Sequence, residues 1–270
     1  MSTDGRFSRQ SFLGAESQAQ IEQSTIGVIG LGGGGSHIVQ QLAHVGFLHY
    51  VICDPDEVED SNLNRLVGAT DNDVQLATPK IDVARRLILG VRPGASVQTY
   101  RARWQEHTEA LQECDILFGC IDGFDERRQL EAVTRRNWIP YIDIGMDVHR
   151  SGTEAPRMSG QVILSMPGYP CMQCLGFLNE VALREEAAAY GQAGHRPQVV
   201  WPNGVLASTA VGIAMDLLTD WTQSLRQVVY MPYFGNDGAL TRHIRLDYVH
   251  ERCCPHYPRI EAGEFRFTKI

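Results

Sequence analysis

Residues 24–56, STIGVIGLGGGGSHIVQQLAHVGFLHYVICDPD, carry the most informative pattern in the chain. An apolar run at 26–29 leads into the glycine-rich run 30–35. A helix-like segment follows from Ser36 to about Val45, and a second apolar run at 50–53 ends at Asp54. This order of strand, glycine turn, helix, strand and acid predicts a nucleotide-binding βαβ unit.

The glycine turn predicts a phosphate site. Gly30, Gly32 and Gly35 fit the G-x-G-x-x-G spacing, and Gly33 lies in the same turn. Glycines let backbone amides approach phosphate oxygens, and a helix N-terminus adds partial positive charge. An acid about twenty residues further on suits a ribose hydroxyl. The pattern alone leaves two questions open: whether the turn only allows close helix packing, and whether the nucleotide is NAD or ATP.

Composition excludes several classes of protein. The chain has 24 basic and 32 acidic side chains and a net charge of −8, which disfavours nonspecific nucleic-acid binding. No apolar run is long enough for a transmembrane helix, and the N-terminus lacks the order of a signal peptide. Seven cysteines in such a chain favour metal binding or free thiols over disulfides. We therefore expect a cytoplasmic protein with no membrane partner.

The rest of the chain alternates apolar runs with helical segments, which predicts an α/β fold. We expect a Rossmann-like, mainly parallel sheet with helices on both faces, continued by an antiparallel portion and a structural zinc site. Residues 146–159 read as a loop, and residues 240–248 as a late strand. The predicted divisions are a leader and helix at 1–23, a nucleotide-binding half at 24–150, a partner-binding half with the zinc site at 151–257, and a tail at 258–270.

Charged side chains after the βαβ unit bear on the choice of nucleotide. Hydride transfer develops no phosphate charge, whereas breaking a triphosphate calls for cations on the phosphates and for a carboxylate that holds Mg²⁺. Arg65, Lys80 and Asp122 supply such groups. They favour ATP over NAD.

Several motifs in this order resemble a known family. They are R-F-S-R-Q at 6–10, G-L-G-G-G-G at 30–35, D-P-D-x-V-x-x-S-N-L-N-R at 54–65, T-P-K at 78–80 and C-I-D at 120–122. The sequence resembles the ThiF/MoeB/HesA family of ubiquitin-activating-enzyme-like adenylyltransferases, over roughly residues 6–257. The cysteine pairs resemble the zinc site of that family.

The resemblance implies roles for individual residues. Asp54 is expected to bind the ribose, with Asp56 and the glycine turn also at the nucleotide, and Asn62, Arg65 and Lys80 to hold the phosphates. Asp122 is expected near Mg²⁺ and the α-phosphate, and Arg9 to reach the active site of a partner protomer in a homodimer. Each residue taken alone also has a plainer interpretation. Asn62 could be a turn residue, Arg65 and Lys80 surface charges, Asp122 a cap at a strand end, and Arg9 an exposed arginine of the leader.

The second chemical site is a set of thiols and a histidine. Cys171-x-x-Cys174 and Cys253 with His256 are two ligand pairs about eighty residues apart, and together they suit a tetrahedral structural Zn²⁺. The run Cys253-Cys254-Pro255-His256 departs from the C-x-x-C pair usual in the family. Cys253 with His256 is the favoured second pair, and a pair that includes Cys254 is the first alternative. The second alternative is a degenerate site with free thiols and no metal.

The reaction implied by the resemblance is adenylation of a carboxylate by ATP, in this family usually the C-terminal glycine of a ubiquitin-like protein. The loop at 179–202 contains no cysteine, and Cys53, Cys114 and Cys120 fall at or near strand positions. We therefore expect no thioester on the enzyme. The alternatives are an NAD-dependent oxidoreductase on the same βαβ unit and a non-catalytic scaffold that binds a ubiquitin-like partner.

Overall fold

The computed structural model describes residues 5–149, 153–188, 197–219, 221–222, 228–249 and 254–257. Within these residues the strands form one sheet in the order β3-β2-β1-β4-β5-β6-β7-β8. The strands are β1 Thr25–Ile29, β2 His49–Cys53, β3 Ser96–Tyr100, β4 Ile116–Gly119, β5 Tyr141–His149, β6 Arg157–Ser165, β7 Val229–Phe234 and β8 Ala239–Leu240. Pairs from β3 to β5 are parallel, and pairs from β5 to β8 are antiparallel.

Helices cover both faces of the sheet. They are α1 Ser17–Gln23, α2 Gly33–Val45, α3 Asp71–Gln75, α4 Lys80–Val91, α5 Thr108–Leu111, α6 Phe124–Arg136, α7 Glu180–Ala188, α8 Val200–Leu218 and α9 Leu246–Val249. One buried cluster packs α2, α4 and α8 on one face, and a second packs α5 and α6 on the other. The predicted α/β sheet with an antiparallel continuation is confirmed. In the part of the chain that the structure describes, no helix has the length and apolar character needed to cross a membrane.

Helix α2 begins inside the glycine run. Its first residue is Gly33, three residues before the predicted start at Ser36. Glycine has low helix propensity, so its position in the first turn was not evident from composition. A side chain on Gly34 would meet Ile144 of β5, and one on Gly35 would collide with the carbonyl oxygen of Gly30. Tertiary packing therefore outweighs propensity here, and the helix N-terminus lies directly at the turn.

In the antiparallel half, the structure differs from two of the predicted elements. The predicted loop at 146–159 is too long at both ends, because β5 runs to His149, β6 begins at Arg157, and the two strands pair from Tyr141↔Ser165 to His149↔Arg157. The signal was the alternation of Met146 and Val148 with polar residues, which is typical of a half-buried strand.

The predicted strand at 240–248 is also wrong. Strand β8 ends at Leu240, and α9 begins at Leu246. The backbone between them still donates from Thr241 to the oxygen of Pro232. Since proline has no N–H to donate in return, the ladder with β7 ends early.

Candidate nucleotide-binding site

A cavity of about 320 Å³ opens at the carboxyl ends of the parallel strands. Its walls come from the glycine turn, the ends of β2, β3 and β4, the middle of β5, the start of α4 and the start of α8. Among the lining residues are Gly30, Gly32, Gly33, Gly34, Asp54, Asp56, Arg65, Lys80, Arg103, Trp104, Asp122, Gln198 and Asn203. Ligands of open α/β sheets bind at this edge. The structure thus brings most of the sequence-predicted site residues to one cavity.

The glycine turn has the shape that its sequence predicts. Gly30 has a φ of +85°, and a Cβ there would lie 2.5 Å from the carbonyl oxygen of Cys120. Gly33 faces the amide of Asn203, again without room for a Cβ. Gly35 is not among the lining residues; it allows α2 to pack on the turn. The bare backbone at the start of α2 therefore faces the cavity.

Asp54 is fixed at the base of the turn. Its Oδ2 accepts from the backbone N–H of Leu31 at 2.6 Å, and its Oδ1 accepts from that of Asp56 at 2.8 Å. Burial raises the pKa of Asp54, while Lys80 and the two backbone amides partly offset this increase. The carboxylate is thereby held rigidly beside the turn, where its remaining lone pairs suit a ribose hydroxyl.

Two cations of the cavity lining, Lys80 and Arg65, are held by nearby oxygen atoms. Lys80 is the first residue of α4, and its Nζ lies 2.8 Å from Oδ2 of Asp56. Arg65 donates from Nη1 to the carbonyl oxygen of Ser61 at 2.6 Å and to Oδ1 of Asn64 at 3.0 Å. These contacts hold both side chains, which also line the cavity. The arrangement offers positive charge to an anionic ligand.

Asp122 and Asn62 differ in their surroundings. Asp122 is exposed at the end of β4, lines the cavity and accepts a hydrogen bond from Nε2 of Gln198 at 3.2 Å. Asn62 is buried and is not among the lining residues. Its Oδ1 accepts from the backbone of Glu59 at 3.2 Å, and its Nδ2 donates to the hydroxyl of Ser61 at 3.3 Å. In this structure Asn62 supports the turn that carries Arg65.

Among the lining residues that the sequence did not predict are Arg103, Trp104, Gln198 and Asn203. Arg103 and Trp104 follow β3, so the rule that ligands lie beyond strand ends would have found them. Gln198 precedes α8 and Asn203 lies in the first turn of that helix. The amide of Asn64, 134 residues before Gln198, donates to the Gln198 carbonyl oxygen at 2.8 Å. No local pattern marks Gln198 or Asn203.

Arg9 lies far from its own cavity. It is exposed in the 3-10 helix Gly5–Leu13, and its neighbour Gln10 donates to the carbonyl oxygen of Val45 at 2.8 Å. Val45 ends α2, whereas the cavity is at the first turn of that helix. Twelve helical steps separate the two ends by about 18 Å. Arg9 is accordingly not among the lining residues.

Three thiols at the ends of β2 and β4 are poor nucleophiles. Burial and the nearby Asp54 raise the pKa of Cys53 to about 12, and burial raises that of Cys114 to about 12. The pKa of Cys120 is raised well above its usual value, chiefly by burial. Since the thiolate is the reactive form, none of these three cysteines is activated.

The cysteines and histidine of the second site converge. The ligand atoms of Cys171, Cys174, Cys254 and His256 all lie within 4.8 Å of one another. Cys253, the favoured residue of the sequence analysis, lies outside the described residues, and Cys254 of the alternative pair occupies the cluster. A tetrahedral zinc with Zn–S bonds of about 2.3 Å separates two thiolates by about 3.8 Å. The Cys171–Cys174 and Cys174–Cys254 sulfur distances are both 3.7 Å, so the donor set fits that ion.

Helix α6 supports the cysteine loop. The buried carboxylate of Glu131 accepts from the backbone N–H of Met172 at 2.8 Å and from the hydroxyl of Ser165. Arg135, also buried, donates to the carbonyl oxygens of Met166 and Tyr169. These contacts satisfy backbone groups of the loop and fix its position.

The sequence matches known proteins over most of its length. A model of the ThiF family matches residues 7–253. The SAMP-activating enzyme E1 of Haloferax volcanii is 31% identical over 226 residues, which cover 82% of this chain and 77% of that protein. The molybdopterin-synthase adenylyltransferase of Salmonella typhimurium is 28% identical over 225 residues, covering 81% of this chain and 83% of that one.

The fold is similar to that of solved structures. Escherichia coli MccB with ATP superposes with a TM-score of 0.72 at 18% identity, covering 94% of this chain and 73% of that chain. The microcin C7 biosynthetic enzyme MccB in complex with N-formylated MccA gives a TM-score of 0.74 at 17% identity, covering 94% and 74%. At these identities the similarity shows the fold.

Proposed function

The chain belongs to the ThiF family, and from that premise we propose that it is an ATP-dependent adenylyltransferase that activates the C-terminal carboxylate of a ubiquitin-like protein or peptide. One observation carries the proposal. The glycine turn, Asp54, Arg65, Lys80 and Asp122 meet around a single cavity. An NAD-dependent oxidoreductase would not need the two cations there, and the family assignment does not favour it.

The cavity suits a nucleoside triphosphate. Backbone without Cβ atoms at Gly33 and Gly34 offers N–H groups to phosphate oxygens at the start of α2, and Arg65 and Lys80 add positive charge. Asp54 suits the ribose. Asp122, which is exposed into the cavity, would hold Mg²⁺ beside the phosphates, because carboxylate oxygens are its preferred protein ligands.

The proposed reaction needs no general base. A C-terminal carboxylate is already ionised at neutral pH, and its oxygen attacks the α-phosphorus while the bond from that phosphorus to the bridging oxygen breaks. Pyrophosphate leaves, and the product is an acyl-adenylate. Arg65 and Lys80 then act by stabilising charge on the phosphates, and the fixed turn acts by positioning them.

A homodimer is part of the proposal. The chain's own Arg9 lies at the far end of α2, so it would contribute only to the cavity of a second copy. The proposal also includes a structural Zn²⁺ held by Cys171, Cys174, Cys254 and His256, which would join the last described segment to the body of the protein. The cytoplasmic location stays a prediction.

Carriage of the product as an enzyme thioester is not part of the proposal. The three buried thiols have raised pKa values, and the sequence from 179 to 202 contains no cysteine. Sulfur or an amine would then be delivered to the adenylate by another protein. Intact-mass measurement after incubation with MgATP and the acceptor, without reductant, tests this point. A reductant-labile adduct on the enzyme would refute it.

Pyrophosphate exchange tests the activity itself. The purified chain is incubated with MgATP, labelled pyrophosphate and a small ubiquitin-like protein ending in Gly-Gly. The same protein without its last two residues is the control. We expect label in ATP only with the intact tail. A non-catalytic scaffold would bind the tail and show no exchange, and an oxidoreductase would be stabilised against heat by NADH rather than by MgATP.

A further inference from the structure

A buried polar cluster lies under the wall of the cavity and has no role in the mechanism above. Arg127 of α6 is 5% exposed and Asp143 of β5 is 0% exposed. The Nε of Arg127 lies 3.2 Å from Oδ2 of Asp143, as an ion pair without hydrogen-bond geometry. Tyr141 donates from its hydroxyl to Asp143 at 2.8 Å, and Gln161 donates from Nε2 at 3.3 Å.

Two glycines in central strands make room for this cluster. A Cβ on Gly119 of β4 would collide with the hydroxyl of Tyr141, and one on Gly145 of β5 would collide with Nη2 of Arg127. Glycine weakens a strand interior and marks close approach of other groups. Two positions of the central sheet therefore carry no side chain, and polar atoms of Tyr141 and Arg127 occupy the space.

The cluster connects the parts of the cavity wall on the antiparallel side of the sheet. Gly145 lines the cavity, and Arg127 lies four residues after Gly123, which also lines it and follows Asp122. The guanidinium lies over the rings of Phe124 and Phe177, at 5.8 and 5.6 Å from their centroids. Burial lowers the pKa of Arg127, but the charges of Asp143, Asp122 and Glu186 contribute to a net increase.

A buried ion pair is weak evidence for stability, because desolvation offsets much of the attraction. Apolar residues of similar volume often hold a core together equally well. What the pair does supply is a short, fixed distance between α6 and β5. The turn at Asp122 begins α6, and Gly145 is on β5, so that distance sets the width of the cavity wall at this point.

Building on the proposed adenylation, we propose that Arg127, through its pair with Asp143, is a positioning residue that holds the Asp122–Gly123 turn at the spacing from Gly145 needed for a carboxylate to meet the α-phosphate. Most contacts to ATP come from the other wall, from the glycine turn, Arg65 and Lys80, and Asp122 adds one contact through Mg²⁺. Loss of the pair therefore lowers kcat much more than it raises the KM for ATP.

The test is the double variant Arg127→Met/Asp143→Asn. It removes both charges together and leaves an acceptor for the Tyr141 hydroxyl. A small displacement of reacting groups costs up to about 100-fold in rate, so we expect kcat for pyrophosphate exchange to fall by about 10- to 100-fold. The melting temperature and the KM for ATP should stay close to those of the wild type. A folded variant with the wild-type kcat overturns the proposal.

Arg86→Met/Asp73→Asn is the matched control. It removes an ion pair of 2.8 Å between α4 and α3, outside the cavity lining, and should leave kcat unchanged. If the first double variant does not fold, Arg127→Lys decides the question. Lysine keeps the charge but not the planar fork. A folded Arg127→Lys protein should also lose kcat at nearly constant KM, and wild-type kcat there overturns the proposal.

A binding measurement tests the positioning role of Arg127 without the acceptor protein. Glycyl-sulfamoyladenosine mimics the acyl-adenylate and spans both walls of the cavity, whereas ATP alone is held mainly by one. We expect the double variant to bind ATP with nearly the wild-type Kd and the mimic about 10- to 100-fold more weakly. Equal losses for both ligands overturn the positioning role. A wild-type protein that binds neither ligand would refute the proposed adenylation instead.

Discussion

The nucleotide cavity and the cysteine–histidine cluster lie towards opposite ends of α6 and are built in opposite ways. At the cavity, Arg65, Lys80 and Asp122 are half-buried or exposed and border open space. At the cluster, four ligand atoms converge within 4.8 Å, which leaves room for one ion. Each region has one buried arginine of α6 beneath it, Arg127 under the cavity and Arg135 under the cysteine loop.

The geometry of the cavity suits catalytic turnover, whereas the geometry of the cluster suits permanent binding of one ion. Charges around open space have to stabilise a ligand whose charge changes during reaction. Donors that converge on one point stabilise a fixed ion and the segments that carry them. Changes in the cavity should therefore alter rates with little effect on stability, and changes in the cluster should do the reverse. Three predictions test that contrast.

The largest expected effect is that of Lys80→Met. It removes a cation from the phosphate side of the cavity, and loss of one such group costs about 10²- to 10³-fold in kcat. Pyrophosphate exchange measures the change, and the melting temperature should shift little. Arg101→Met is the control, because Arg101 pairs with Glu57 at the surface and does not line the cavity. Equal rates for the two variants would contradict the assignment of Lys80.

The second effect concerns stability. Cys174→Ser removes one of the four ligand atoms, and we expect bound zinc to fall from one ion per chain to well below one. The melting temperature should fall by about 10 °C, the shift expected for a loss of about 3 kcal/mol in a chain of this size. Metal analysis and calorimetry measure both. Cys114→Ser, a buried thiol outside the cluster, should keep its zinc.

The ATP affinity of the folded Cys174→Ser protein sharpens the contrast. If the cluster only holds the fold together, the Kd for ATP below the melting transition should equal that of the wild type. A large loss of ATP affinity at full folding would show that the two regions are not separable.

The smallest expected effect is on the pH dependence of stability, at an ion pair outside both regions. Hydrogen bonding to Arg86 lowers the pKa of Asp73 below its ordinary value of 3.8. A carboxyl whose pKa is lower in the folded state stabilises the fold above its unfolded pKa, and this contribution is lost as the pH falls below about 4. Since Arg86 is about half exposed, the contribution should be less than about 1 kcal/mol. Asp73→Asn should flatten the stability profile below pH 4 in urea titrations, without changing kcat at neutral pH.

The parallel half of the fold was predictable because its signals are local. The order of apolar runs, glycines and Asp54 within residues 24–56 requires little knowledge of the rest of the chain. The antiparallel half was harder to predict. The pairing of β5 with β6 depends on a partner strand, and the early end of β8 depends on a proline in β7, so neither followed from one segment.

Residue types and short spacings were enough to predict the βαβ unit, the cations and acids that follow it, and two candidate pairs of metal ligands. Packing between distant segments brings Gln198 and Asn203 to the cavity, turns Asn62 towards its own loop, places Cys254 in the cluster and puts Arg127 under Gly145. These outcomes depend on contacts between residues far apart in the chain, and their geometry is set by packing of the whole sheet.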